Sequence, residues 1–279
     1  MAKIVTKERL SEQVVRMTVV SPRIARKRKA GQFVVLIINE QGERIPLTIV
    51  DSDPEIGTLT IIFQEVGKST MHLGALNEGD EIAHVVGPLG RPTYIENFGT
   101  AVCVGGGVGI AALYPITHAL HDAGNRVISI IGARNKDLLM LEDEMGAVSD
   151  ELLICTDDGS YGPQGFVTSL LSEVVERKEK IKIVVAVGPV PMMHAVAELT
   201  RPYGINTVVS LNSIMLDGTG MCGTCRCEVG GKTRFVCVEG PEFDGHEVDF
   251  DGLAKRQKAY LEAEKKAVLR YSCGVTGEG

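Results

Sequence analysis

Apolar residues in the first third of the chain come in short alternating runs, QVVRMTVV, QFVVLIIN, GTLTIIFQEV and DEIAHVVG, bounded by Gly, Pro, Asn and Asp. A period of two marks strands that bury one face. Roughly six antiparallel strands are expected over residues 1–98, and with no long helical pattern between them a small closed barrel is the simplest arrangement.

The pattern changes at residue 99. TAVCV is a buried strand, followed by Gly105, Gly106, Gly107 and Gly109 and then by an apolar helix. RVISIIGAR, ELLICTDDGS, KIVVAVGPVPMM and NTVVSLNSIM read as four more buried strands with helical segments between them. Alternating strands and helices predict a parallel, doubly wound sheet over residues 99–214, with its ligand at the carboxyl ends of the strands. The glycine turn, with Gly105, Gly107, Val108 and Gly109, is a candidate pyrophosphate site, because a helix N-terminus presents free N–H groups and glycine lets the phosphates approach. Other strand ends place Arg134, Asp157, Asp158, Gly188 and Met192 on the same edge. Bland readings stand beside these: Asp157 and Asp158 as turn caps, and Met192 and Met193 as helix-start packing. His118, His121 and His194 lie in helical segments without metal spacing and read as ordinary residues.

Two stretches of the first part look chemical. RIPLT, residues 44–48, puts a proline-fixed turn beside a hydroxyl and a cation. VGKST offers consecutive backbone N–H groups, Lys68, Ser69 and Thr70 at a helix start, an anion cradle in form. An edge strand and a capped helix start are the plain alternatives.

The third part, residues 215–279, opens with DGTGMCGTCRCEVGGKTRFVC, which holds four of the seven cysteines among five glycines. A glycine-rich loop with Cys222 and Cys225, and a hairpin returning Cys237, can converge soft ligands on one point. Zinc would need four N or S ligands, and Cys222, Cys225, Cys227 and Cys237 can supply them, but zinc ribbons pair two C-x2-C knuckles and one is present. An odd cysteine count without a secretory signal makes disulfides a poor choice. Plant-type 2Fe-2S loops use C-x4-C-x2-C and a distant Cys, and this loop matches that spacing except that Asp217 stands where the first cysteine would be. Asp217 and Cys227 compete as the fourth ligand, with Cys227 pointing to the opposite side of an extended segment. A charged helix with the apolar stripe Leu253, Tyr260, Leu261 and Val268 follows, suited to packing on a surface.

The remaining bounds come from composition. With 279 residues and 44% hydrophobic content the chain can bury more than one core. Its net charge of -7 argues against nucleic acid or an anionic membrane as partner. No apolar run reaches the ~18 residues of a membrane span, and the N-terminus lacks a signal peptide's apolar region, so a cytoplasmic protein is expected.

The order of these parts resembles the ferredoxin–NADP reductase superfamily. Within it, RIPLT, GKST, GGGVGIAAL, TDDGSYGPQG, VGPVPMM and the cysteine segment through GPEFDGHEVDF resemble the small subunit of NADH-dependent reduced ferredoxin:NADP oxidoreductases, also known as sulfide dehydrogenase small subunits. The likeness covers essentially the whole chain. It implies an FAD-binding barrel, an NAD(P)-binding sheet and a 2Fe-2S loop held by Asp217, Cys222, Cys225 and Cys237. It further implies that Pro46, Leu47 and Thr48 line the flavin ring, with Thr48 near its reactive N5, and that Gly67, Lys68, Ser69 and Thr70 hold the FAD pyrophosphate. Two departures stand out: Ile45 occupies the position of the superfamily's arginine, with Arg44 one step earlier, and Val187 stands where many relatives have a cysteine.

Implied function is electron transfer between NAD(H), FAD and the cluster and a larger flavin and iron–sulfur subunit, in an electron-bifurcating complex that meets ferredoxin indirectly. The electron-transfer subunit of a dihydroorotate dehydrogenase, whose loop carries four cysteines, and that of a sulfide dehydrogenase are the near alternatives. A nucleotide-binding module with a structural zinc is the non-redox one.

Overall fold

A computed structural model describes residues 1–40, 42–177 and 179–273. Among them the first part holds β1 (Ala2–Arg9), β2 (Val14–Val20), α1 (Pro22–Ala25), β3 (Phe33–Ile37), β4 (Arg44–Thr48), β5 (Asp51–Asp53), β6 (Thr58–Gln64), α2 (Lys68–Ala75), β7 (Glu81–Ile82) and β8 (His84–Leu89). The eight strands form two antiparallel sheets, one in the order β5-β6-β2-β1-β7 and one in the order β4-β3-β8. Met17, Leu36, Ile61 and Phe63 belong to the core they share.

Among the described residues no closed ladder joins the two sheets of the expected barrel. The chain switches sheets at tight corners: the Ile49 N–H bonds to the Gln32 carbonyl while the next N–H, of Val50, bonds to Thr60, and after β7 the Ala83 N–H bonds to Ile38. Corner residues therefore join the sheets where a barrel would have a continuous ladder. Alternation in the sequence cannot tell the two apart, since both bury the same face of every strand. Pro46 is accommodated because β4 is an edge strand, paired with β3 alone.

The second part runs β9 (Thr100–Gly106), α3 (Gly109–Asp122), β10 (Arg126–Ala133), α4 (Glu142–Ala147), β11 (Glu151–Thr156), α5 (Val167–Glu176), β12 (Ile181–Val187), α6 (Val190–Thr200) and β13 (Asn206–Ser210). These five strands are parallel in the order β11-β10-β9-β12-β13. Successive residues feed opposite cores. Ala101, Cys103, Ile183 and Val185 meet Ile110, Leu113 and Ile116 of α3, whereas Val102, Val104, Val184 and Ala186 meet Leu171 and Val174 of α5 and Met193 and Val196 of α6. Burial on both faces explains why these strands read as continuous apolar runs.

The third part contains β14 (Arg226–Val229), β15 (Lys232–Phe235), α7 (Val236–Glu239), β16 (Glu242–Asp244), α8 (Phe250–Gln257) and α9 (Leu261–Ser272). It is interlocked with the second. β16 pairs antiparallel with β13, matching Ser210 to Glu242 and Val208 to Asp244, and so covers the sheet's edge. The Asp249 carboxylate caps α8 by accepting the Gly252 N–H at 2.9 Å. Phe250 and Leu253 of α8 are buried, and the Phe250 ring stacks on His194 of α6 with centroids 4.9 Å apart.

The single C-terminal helix expected from the apolar stripe is two helices separated by a 3-10 turn, Lys258–Tyr260. Leu253 faces the core, Val268 is half-buried, and Tyr260 and Leu261 are exposed, so the stripe does not lie on one continuous face. Beyond the turn α9 lies against α2, where Tyr271 and His72 approach to 6.1 Å.

Candidate active site and cluster loop

A cleft of about 1110 Å³ separates the edge strand β4 from the carboxyl ends of the parallel strands. Strand order reverses between β9 and β12, which is where a doubly wound sheet opens a crevice for its ligand. Pro46, Leu47, Thr48 and Thr70 line the cleft from the first part of the chain, and Gly107, Val108, Gly109, Arg134, Asp157, Gly188 and Met192 from the second.

The glycines divide the labour. Gly107 has φ of +55° and open space where a Cβ would stand, as a backbone that must admit phosphates requires. At Gly109 a Cβ would fall 2.4 Å from the Val187 carbonyl oxygen, so this glycine lets α3 start hard against β12. Gly105 serves packing: a Cβ there would meet Leu113 and Ile110 of α3, and the residue does not line the cleft. The Met192 sulfur rests between Gly106 and Gly188, 2.5 and 2.8 Å from where their Cβ atoms would be. Met193 is fully buried and packs, as the plain reading had it.

Arg44, Gly67, Lys68, Ser69 and Asp158 do not line the cleft. Arg44 is exposed at the outer end of β4 opposite Ile37, and Lys68 is also exposed. The Ser69 hydroxyl donates to the Glu43 carboxylate. Thr70 caps α2, its hydroxyl accepting the Val66 and Gly67 N–H groups at 3.1 Å and donating to the Gly67 carbonyl at 3.0 Å. Asp158 accepts the Ser160 N–H at 2.9 Å, and the Ser160 hydroxyl and N–H hold its carboxyl below the usual range. It closes a turn while Asp157 faces the cleft.

Ser210, Leu211, Asn212, Ser213, Met215, Pro241 and Gln257 line the cleft without having been singled out in the sequence. SLNS follows the fifth parallel strand, so the carboxyl-end rule that marked Arg134 and Gly188 applies equally to it. Gln257 had no such signal; its Nε2 donates to the Asn212 carbonyl and side-chain oxygens, both at 2.9 Å, across 45 residues of chain.

Seven residues past β13 the cysteine loop begins at Asp217. Gly218, Gly220 and Gly223 take φ values of +73°, +85° and +67°, a curl unfavourable to residues with a Cβ. The Asp217 carboxylate sits inside that curl, accepting the Thr219 and Cys222 N–H groups at 2.9 Å, with Thr219 the main cause of its lowered pKa. The Thr224 hydroxyl and N–H lower the exposed Cys222 thiol. Cys225 and Cys237 are buried and touch, the Cys237 N–H lying 3.4 Å from the Cys225 sulfur. Burial, with the shared Cys225 hydrogen bond second, pushes the Cys237 thiol up to about 12.

Cys227 lies elsewhere. It is on β14, its sulfur 3.6 Å from the Glu228 carbonyl, and its surroundings are Asp249 and Arg256. Burial first, then Asp249, pushes its thiol up to about 11. Among the described residues no three His, Cys, Asp or Glu side chains are yet drawn together as a metal would hold them. Thiols and a carboxylate on one glycine-rich curl are nevertheless the donor chemistry of an iron–sulfur centre.

The loop presses on the first part of the chain. A Cβ at Gly218 would stand 2.7 Å from Leu89 of β8 and 3.0 Å from Val35 of β3. β3 is hydrogen-bonded to β4, which lines the cleft, so the loop packs on the strand next to the cleft wall.

Two sheets facing a doubly wound sheet across such a cleft, with a cysteine loop behind them, define a ferredoxin–NADP reductase-like redox protein. The phthalate dioxygenase reductase shares the fold at 18% identity and a TM-score of 0.59, over 82% of this chain and 85% of that one. The profile of the iron–sulfur cluster binding domain of dihydroorotate dehydrogenase B matches residues 212–249. A dihydroorotate dehydrogenase B (NAD(+)) electron transfer subunit homolog of Thermotoga maritima is 48% identical over 96% of this chain and 95% of its own. The electron transfer subunit of Geobacillus thermodenitrificans is 34% identical over 88% and 96%. A solved chain of the NADH-dependent reduced ferredoxin-NADP oxidoreductase, a flavin-based electron-bifurcating enzyme, is 45% identical with a TM-score of 0.92, covering 98% of both chains.

The chain belongs to the family of dihydroorotate dehydrogenase B electron transfer subunits and their homologues. FAD, NAD(H) and a 2Fe-2S centre are the cofactors of that fold and family, and the zinc reading gives way to them.

Proposed function

We propose that this chain is the NAD(H) port of an oxidoreductase complex, passing electrons between NAD(H), FAD and a 2Fe-2S centre, and between that centre and a larger flavin and iron–sulfur subunit. Residues 1–98 hold FAD, residues 99–214 NAD(H), and residues 215–279 the cluster. A bound flavin supplies the step between two-electron hydride and one-electron iron chemistry.

The chain's own residues do the positioning. Pro46, Leu47 and Thr48 form the wall for the isoalloxazine ring, Thr48 offering a hydroxyl at the reacting edge. The capped start of α2 faces the FAD phosphates, and the N-terminus of α3 with Gly107 receives the dinucleotide. Met192 and Gly188 meet the nicotinamide. Asp217, Cys222, Cys225 and Cys237 hold the cluster, and Cys227 does not.

The observation that carries this reading is the contact of Gly218 with β3 and β8, which sets the cluster loop one strand behind the cleft wall. Asp217 in place of a fourth cysteine favours the bifurcating ferredoxin:NADP oxidoreductase over a dihydroorotate dehydrogenase as the complex served. The test is cofactor analysis of the purified chain. About two irons and one FAD, with bleaching of the visible spectrum by NADH, are expected; stoichiometric zinc without flavin overturns the proposal.

A further inference from the structure

A second, smaller pocket of about 240 Å³ lies on the other side of the Asn212–Gln257 contact, lined by Ser213, Ile214, Thr224, Arg226, Leu253, Arg256, Gln257, Ala259 and Tyr260. It adjoins the cluster loop through Thr224, and no cofactor role uses it. The Ser213 hydroxyl in its wall is buried, with the residue 7% exposed and its oxygen without a hydrogen-bond partner. A buried hydroxyl left unpaired costs free energy unless something completes it.

Two guanidiniums share the pocket. Arg226 donates from Nη1 to the Gly223 carbonyl at 3.0 Å, and Arg256 from Nη2 to the Thr224 carbonyl at 3.3 Å. Neither forms an ion pair with a carboxylate among the described residues, although the chain carries 36 acidic residues against 29 basic ones. A guanidinium has five N–H donors and only one of each is spent on the loop. Two forks and a hydroxyl make a receptor for a carboxylate, and the small volume admits an acidic side chain but no nucleotide.

The surroundings indicate where that carboxylate comes from. Along the same loop and at the rim, Leu216, Met221, Val238 and Tyr260 are exposed, Met221 at 89%. Met, Tyr and Arg around a desolvated polar centre are the composition of a protein interface. We propose that this pocket receives the carboxylate of an Asp or Glu side chain from the larger partner subunit, held by Arg226, Arg256 and the Ser213 hydroxyl. This rests on the partner reading given above and adds the chemistry of the contact. Since the same arginines hold the carbonyls of Gly223 and Thr224, between Cys222 and Cys225, a docked carboxylate also steadies the loop that carries the cluster.

The test uses the loaded chain and its native partner. Arg226→Glu should raise the dissociation constant of the complex at least tenfold and flatten its dependence on salt, while Arg226→Lys keeps part of the affinity. Ala259→Asp, which places a carboxylate at the small pocket without replacing either arginine and at a residue that does not line the cofactor cleft, should weaken docking comparably with iron content and visible spectrum retained. It decides the matter if Arg226→Glu loses iron. A complex that tolerates both variants overturns the pocket; failure of the wild-type chain to form any complex counts instead against the partner reading. Sodium acetate at millimolar concentration should weaken the wild-type complex and leave Ala259→Asp unaffected. A cluster spectrum that shifts with acetate in the isolated chain, beside assembly indifferent to the variants, assigns the site to a free carboxylate and overturns the proposal.

Discussion

Cys227 and Cys237 are both buried thiols, yet their neighbours give them different work. Cys237 touches Cys225 on the curl that contains Asp217, whereas Cys227 is enclosed by β14 and α8. Cys227→Ser should therefore leave the cluster's absorption and electron resonance nearly intact. Asp217→Ala should make the cluster labile, and Asp217→Cys should rebuild it with a changed potential, because thiolate is the softer donor. Another residue with a measurable signature is Glu242 on β16. Although the residue keeps some exposure, its carboxyl end is enclosed: the Thr93 hydroxyl donates to it at 2.5 Å and Gly31 abuts it. Burial raises its pKa to about 7 from the ordinary 4.5. A raised carboxyl pKa means that the folded state binds the proton more tightly than the unfolded one. Its stabilisation is complete below pH 4.5 and lost as pH rises through 7, roughly 3 kcal/mol in all. Glu242→Gln should flatten the decline of unfolding free energy between pH 5 and about 8, measured by urea titration; an unchanged slope would remove Glu242 as its source.

Single elements show what the sequence carried and what it hid. The doubly wound sheet was legible because parallel strands buried on two faces leave unmistakable apolar runs, and a glycine turn after the first of them locates the crevice. Which glycine does what was not legible, since Gly105, Gly107 and Gly109 differ in backbone φ and in what a Cβ would strike. Gly109→Ala should collide with the Val187 carbonyl, costing about 1–3 kcal/mol in urea unfolding and weakening NADH binding, whereas Gly105→Ala should disturb only the packing of α3. The same limit explains the corners at Ile49–Val50 and Ala83: hydrogen-bond direction decides between barrel and paired sheets, and alternation is blind to it. At the start of α2 the sequence shows the hydroxyls but not their partners: Thr70 caps the helix at the cleft, whereas Ser69 turns to Glu43 and Lys68 to solvent. Arg134, exposed at the end of β10 and on the cleft, is the one predicted cation there. NADH should be preferred in kcat/KM with an artificial acceptor, and Arg134→Ala should cut NADPH turnover about tenfold while changing that with NADH less than twofold. A wild-type preference for NADPH would show that the contact of Arg134 with the 2′-phosphate outweighs the expected choice of NADH.

At the scale of the molecule, the C-terminal arm can be divided. A cut after Asp251 would remove Leu253 from the core, at a cost of about 2–5 kcal/mol, and confuse docking with folding. α9 buries no residue completely, so removing residues 261–279 should leave flavin and iron content and NADH-dependent dye reduction within about twofold. Assembly with the larger subunit is expected to weaken; unaltered copurification would free α9 from that role.

β16 has a consequence for how electrons leave. The cluster loop departs from the end of β13, and the chain returns as β16 to pair with that same strand. Both ends of the loop are thus moored on one ladder, and its first turn, at Gly218, is wedged against β3 and β8. Some carriers ferry charge by swinging a tethered group from donor to acceptor. This one has no tether: its gap to the outside is fixed when the chain folds. Thickening the solvent should leave the pace of delivery unchanged, and the shape of whatever docks over Met221 and Cys222 alone sets how far each electron must jump.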